Sequence, residues 1–224
     1  MRENSSEITK YIQIARENHK KGNIYQANEI YKKLINQKIY TYELLISYGL
    51  FCKEINNLKI AKNLFNLSIK KYPSKINAYL LLAEILRKEN KVNDALKTLY
   101  AAKKIEKLNP DIDYNLAISY TTIKSFREAI LSIDSAIKLQ PKNQIYQILK
   151  ADILVEFFKN EEAKKLLVNL KLESDSLLYF QKEILISKIF INQKKYKLAE
   201  GVLLGLKKLL SLIHISEPTR LRTI

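Results

Sequence analysis

Apolar residues recur at every third or fourth position along most of the chain, the spacing that gathers them on one face of an α-helix. The pattern is plainest between Pro110 and Asn143. Leu116, Ala117 and Tyr120 predict one amphipathic helix; Phe126, Ala129, Ile130, Ile133, Ala136 and Ile137 predict a second. Asn109 and Pro110 open the unit as a cap and a first-turn proline, and Pro141 closes it. The same helix–turn–helix unit is read along the rest of the chain. In the first, Asn4 or Ser5 caps a helix with Ile8, Tyr11, Ile14 and Ala15 inward; Gly22 and Asn23 turn, and Ile24, Ala27, Ile30, Tyr31 and Leu34 follow. The second turns in Leu45, Tyr48, Gly49 and Cys52, then Leu58, Ala61, Phe65 and Ile69; Pro73 stops it and Ser74 caps the next helix. The third carries Tyr79, Leu82, Ala83 and Leu86, then Val92, Ala95, Leu99 and Ala102. The fifth has Ala151 and Leu154, a turn at Phe158–Asn160, then Ala163, Leu166, Leu167 and Leu170. The sixth has Ile186, Ser187 and Phe190, a turn at Lys194–Lys195, then Tyr196, Ala199, Leu203 and Leu206.

Subtraction fixes the register. Ala27, Ala61, Ala95, Ala129, Ala163 and Ala199 stand 34, 34, 34, 34 and 36 residues apart. A second ladder of small residues runs in phase: Ala15, Gly49, Ala83, Ala117, Ala151 and Ser187. Helices whose axes approach to about 8 Å need a small side chain at the crossing. Each pair buries little alone, so neighbours must stack and share a core. The extra two residues fall in KLESDSLLYF, which predicts a longer loop before the sixth unit.

This pattern resembles the tetratricopeptide repeat family, built from helix–turn–helix repeats of about 34 residues. The match includes the paired small residues, a large residue four after the second (Tyr31, Phe65, Leu99, Ile133, Leu167, Leu203) and the closing Pro73 and Pro141. At the family's first-helix tryptophan the chain has Tyr11, Leu45 and Tyr79, and departs from it with Asp113, Gln147 and Glu183. The resemblance implies an all-α, right-handed α–α superhelix, a solenoid. It spans residues 1–209, with repeats near 8–40, 42–74, 76–109, 110–143, 144–178 and 180–209. It also implies a concave groove lined by first helices. The groove positions are Arg16, His19 and Lys20; Ile46, Leu50 and Lys53; Leu80, Glu84, Arg87 and Lys88; Tyr114, Asn115 and Ile118; Ile148, Asp152 and Glu156; Ile184 and Lys188. The carboxylate clamp that some members use is not reproduced, since Asn115 is the one matching asparagine on that face.

Composition narrows the function. The 224 residues are 47% hydrophobic and hold only 4 Gly and 4 Pro, which suits helices joined by short turns. The formal net charge is +16, nearly all from Lys. Residues 1–109 carry 21 Lys and Arg against 10 Asp and Glu, net +11, while residues 110–179 carry 9 against 10, net −1. The expected partner is therefore a protein segment, a peptide or helix, with its acidic part toward the N-terminal repeats. The same lysines also read as a solvated face. RNA is a further alternative, weakened because Lys lacks the bidentate geometry of Arg for phosphate.

Catalytic and metal constellations are missing. His19 is the one histidine outside the last residues, Cys52 is the one cysteine, and the glycines are scattered, so no triad, zinc set or phosphate loop assembles from sequence. Asp111 and Asp113 read as first-turn partners of the helix dipole, and Asp152 and Glu156 as a solvated i, i+4 pair. No cofactor and no enzyme activity are expected; an N-terminal recruiting arm of a larger glycosyltransferase- or sulfotransferase-like enzyme is the alternative that similar arrays suggest. Gly201 and Gly205 read as a close-packing GxxxG. A lone cysteine and the lack of an apolar leader or membrane-length run predict a cytoplasmic protein without membrane contact. The stretch SLIHISEPTR, Ser211 to Arg220, resembles translated adaptor sequence of shotgun DNA libraries, so residues 210–224 are set aside as non-native, with His214, Pro218, Arg220 and Arg222 carrying no role. Val202, Leu203, Leu204 and Leu206 are then expected to lack their natural cover.

Overall fold

A computed structural model describes the backbone of residues 5–173 and 176–220, with side chains for 6–173 and 176–211. The expected cap at Asn4, Arg222, and the side chains of His214, Pro218 and Arg220 lie outside the described residues. The described backbone is helical: α1 (Ser5–Lys20), α2 (Ile24–Asn36), α3 (Tyr42–Glu54), α4 (Leu58–Lys71), α5 (Asn77–Lys88), α6 (Val92–Ile105), α7 (Pro110–Thr122), α8 (Phe126–Leu139), α9 (Gln144–Glu156), α10 (Asn160–Val168), α11 (Leu177–Asn192) and α12 (Tyr196–Arg220). They form two compact units, one up to Lys107 and one from Leu108. In the first, α1 packs on α2, α3 on α4 and α5 on α6, with α4 also meeting α5. In the second, α7 pairs with α8, α9 with α10 and α11 with α12, while α9 also touches α7, α8 and α11.

The small residues sit where helices cross. Ala15, Ala27, Ala61, Ala83, Ala95, Ala117, Ala129, Ala151 and Ala163 are fully buried, and Gly49, Ser187 and Ala199 are buried too. Gly49 marks a close crossing. A methyl group there would meet the Phe65 ring, with Cζ and Cδ1 only 2.8 and 2.9 Å away, and Phe65 is itself fully buried. Gly201 and Gly205 differ from expectation: nothing lies within 4 Å of a side chain built at either, so this GxxxG mediates no close packing.

Each turn inside a pair is closed the same way. Gly22, Asn56, Asn90, Lys124, Phe158 and Lys194 all hold positive φ, between 58° and 79°. The amide of the next residue then reaches back to a carbonyl in the helix just ended, as Asn57 to Cys52 (2.7 Å), Lys91 to Leu86 (2.8 Å) and Lys159 to Leu154 (2.8 Å). This is the left-handed helix stop that satisfies otherwise orphaned carbonyls. Between pairs, Asn109 caps α7 by accepting from the amides of Asp111 and Ile112, and Pro110 starts that helix, as the sequence predicts. Ser74 does not cap α5; the helix begins at Asn77 behind Ile76, which offers no side-chain bond. The predicted longer loop separates α10 from α11, and Ser176 caps the latter through the Tyr179 amide at 3.2 Å.

The one-face reading holds for second helices and fails for interior first helices. The buried residues of α8 are Ala129, Ile133 and Ala136, a single stripe. In contrast α3 buries every residue from Leu44 to Gly49, and then Phe51 and Cys52. A helix flanked on both sides is apolar nearly all round. For the same reason Ile12, Phe51, Ile85, Ile112 and Ile153 join the core without appearing in a one-face pattern. At the edges the reading overshoots: Ile24 is 39% exposed, and Leu203 is 45% exposed, unlike the buried Tyr31, Phe65, Leu99, Ile133 and Leu167 at its equivalent positions.

Buried titratable groups, Cys52 and Tyr31 among them, couple stability to pH. Burial pushes the Cys52 thiol from its ordinary 9.0 up to about 11, and the Tyr31 hydroxyl from 10.0 to about 12. Both favour the neutral form when folded, so their stabilisation is complete below the unfolded values and is lost as pH rises through the folded ones. Unfolding free energy is expected to decline from about pH 9 towards pH 11–12, read by urea titrations at stepped pH. Gly49→Ala is expected to lower stability by about 1–3 kcal/mol, outweighing the roughly 0.5–1 kcal/mol that alanine adds to a helix interior. An unchanged or higher denaturant midpoint would contradict the crossing geometry.

Candidate functional site

The predicted groove positions fall into separate neighbourhoods. In the first unit, Arg16, His19, Lys20, Ile46 and Leu50 line a cleft of 440 Å³ together with Tyr31, Ser47, Phe51 and Glu54. Ile46 is 8% exposed, so it forms the floor and not the rim. Two of these side chains have carboxylate partners. Arg16 meets Glu43 at 3.1 Å and donates to the Ser47 hydroxyl at 2.6 Å; His19 Nε2 lies 3.2 Å from Glu54. His19 also sits edge-on to Phe51, with ring centroids 5.0 Å apart.

One helix pair along, Lys53 reaches Glu84 at 2.8 Å and Lys88 approaches the same carboxylate at 3.3 Å. Burial works against the Glu84 charge, but the hydrogen bonds and charges of Lys53 and then Lys88 outweigh it and hold the carboxyl below its ordinary value. Beyond the predicted set, Glu89 binds Lys62 (2.6 Å) and Lys91 (3.0 Å). Leu80 is half-buried beside these residues, as is Arg87.

The second unit has a more apolar cleft of 420 Å³. The predicted Tyr114, Ile148, Asp152, Ile184 and Lys188 line it, joined by Ile145, Leu149, Leu177, Leu178, Gln181 and Leu185. Tyr114 packs at a tilt against Tyr146, 5.2 Å between centroids. Ile148 is 6% exposed and lies in the floor, whereas Ile145, Leu177 and Ile184 stand open at 48%, 73% and 43%. At one end Lys188 bridges Asp152 (3.3 Å) and Glu156 (3.6 Å). Asn115 instead bonds back to the Asp111 carbonyl of its own helix at 2.9 Å, and Ile118 is half-buried; neither lines the cleft.

Sequence reading missed Leu177 and Leu178 because α11 has 16 residues where α9 has 13, and its added first turn has no counterpart in the repeat ladder; it also missed Gln181 and its counterpart Ile145. The signal was present as Leu177, Gln181, Ile184 and Lys188, an i, i+4, i+7, i+11 stripe. It also missed the inward role of Asp113. This carboxylate is 1% exposed and accepts from the Ser135 hydroxyl at 2.8 Å, while Asp111 accepts from the Tyr146 hydroxyl at 2.7 Å. Among the described residues no group of three or more His, Cys, Asp or Glu could hold a metal ion, and no helix is long and apolar enough to cross a membrane.

Neither a family model nor a curated protein matches the chain. Solved structures do. A tetratricopeptide repeat protein from Parabacteroides merdae superposes with a TM-score of 0.76 at 15% identity, covering 93% of this chain and 79% of its own. PilF of Pseudomonas aeruginosa gives 0.68 at 15% identity over 90% and 91% of the two chains. A thermophilic tetratricopeptide repeat protein of Thermus thermophilus gives 0.66 at 13% identity over 80% and 98%. At such identities the likeness speaks to fold: the chain is an all-α tetratricopeptide-type repeat array.

The Glu84 cluster is testable by itself. Lys53→Gln is expected to move the Glu84 carboxyl back up toward its ordinary 4.5, read from its side-chain carbon shift in an NMR titration. A titration curve unchanged by the substitution would mean that Lys53 does not hold this charge.

Proposed function

We propose that this chain is an interaction scaffold whose first-helix faces receive a peptide or helix of a partner protein, acting by binding and not by catalysis. The observation that carries this reading is the cleft among α7, α9 and α11. It joins several open apolar side chains to a polar end at Asp152 and Lys188, the composition of a seat for a partner's apolar anchor with a few orienting contacts. The fold supports the same reading, because stacked helix pairs present long faces assembled from many repeats.

Charge has a secondary part in this proposal. An acidic portion of the partner faces the N-terminal repeats, where residues 1–109 hold the net +11. Arg16, Lys53 and Lys88 already answer Glu43 and Glu84, so an incoming carboxylate competes with internal ones. Electrostatics then steers approach more than it sets affinity.

The test begins with partners captured by in-cell crosslinking and continues with purified components by calorimetry. Ile184→Glu places a charge in the open apolar cleft without disturbing the core, since Ile184 is 43% exposed. It is expected to weaken a partner about tenfold or more. Arg87→Glu with Lys88→Glu is expected to weaken an acidic partner several-fold and to slow its association. Unchanged affinity in the first variant removes the cleft as the seat; unchanged affinity in the second removes the acidic preference.

A further inference from the structure

The left-handed turn position is filled by Gly22, Asn56, Asn90, Lys124 and Lys194, and by Phe158. Glycine and asparagine suit this conformation, whereas a bulky side chain there is an outlier. Phe158 holds φ 58° and gains little packing, for it is 76% exposed. Its neighbour Phe157 does the packing, stacked on Phe126 with centroids 5.2 Å apart. An aromatic ring kept on unfavourable backbone and left in water points to a use outside the folded core.

The surroundings indicate what that use is. Phe158 lines a cleft of 460 Å³ with Phe126, Val155 and Ile191, and with Lys124, Glu156, Lys188 and Asn192. Ile191 is 46% exposed, so the seat offers a second open apolar side chain. Lys124 on the preceding turn has no ion-pair partner among the described residues, and neither do Lys194 and Lys195 on the following turn. An uncompensated Lys124 thus lines an apolar seat. Glu156 in the wall and aliphatic Val155 and Ile191 suit a side chain better than a phosphate strand, which would seek further rings to stack on.

We propose that this turn edge of the second unit is a docking site for an acidic linear segment of a partner protein. One large apolar side chain of that segment seats beside Phe158 against Val155 and Ile191, and an adjacent carboxylate meets Lys124. The site adjoins the cleft among α7, α9 and α11, with which it shares Lys188, and has in common with the scaffold reading the assumption of a protein occupant.

The test uses a random dodecapeptide library displayed on phage, selected on the full chain, with single peptides then measured by fluorescence polarisation. Selected peptides are expected to pair Phe, Leu, Ile or Met with a neighbouring Asp or Glu. Phe158→Gly is expected to cost them about tenfold or more in affinity, while Lys124→Glu costs several-fold and Ile184→Glu nothing. The Phe158→Gly protein itself is expected to melt about 2–4 °C higher, because glycine relieves the turn. Peptides that ignore Phe158, or a Phe158→Gly variant that melts lower, would overturn the proposal. So would an oligouridylate probe that binds through Phe158 where no acidic peptide does. Peptides sensitive to Ile184→Glu alone would leave the scaffold reading standing and remove this site.

Discussion

The closest approach between helices governs this molecule. Where Gly49 meets the buried ring of Phe65 there is no room for even one carbon more, and small residues stand buried at the equivalent positions of the other pairs. Small residues let the axes come together, large ones four positions later fill the space beside them, and the flanking pair covers what remains exposed. Interior first helices consequently bury residues nearly all round, while second helices keep one face in water. The division into lining helices and outer helices follows from this burial pattern.

Much of the architecture was legible because it rests on spacing. A small residue every 34 positions needs no knowledge of neighbours, and the cap at Asn109 with Pro110 is a local signal. Contacts that depend on the neighbouring pair were hidden. Tyr79 and Gln147 occupy equivalent positions with unlike side chains, yet both donate back to the carbonyl of the closing proline six residues earlier, to Pro73 at 3.1 Å and to Pro141 at 2.6 Å. Asp113 stands at the same position in the repeat between them and turns inward to Ser135. Side-chain identity alone conceals the first equivalence and gives no warning of the second. The added turn of α11 was likewise invisible to a ladder that assumes equal repeats.

Net charge does not by itself say which cations are answered. In the first 109 residues, net +11, Arg16 and Lys53 of the predicted groove are matched by Glu43 and Glu84 one helix pair away, and Lys88 by Glu84 on its own helix. The first two pairs each join neighbouring first helices. In the second unit Lys124, Lys194 and Lys195, all on turns, have no ion-pair partner among the described residues.

The bonds that tie one pair to the next have a consequence for how the chain reaches its structure. Lys53 to Glu84 spans 31 residues, Gln193 to Glu161 spans 32 and Asn192 to Val155 spans 37. Each closes a loop of about one repeat, and the entropic cost of loop closure rises slowly with length. Contacts this local place the chain among low-contact-order proteins, which fold fast. A folded pair can template the next from either side, so folding can start at any pair and spread outward. The nascent chain therefore need not wait for distant residues before it begins to bury its core.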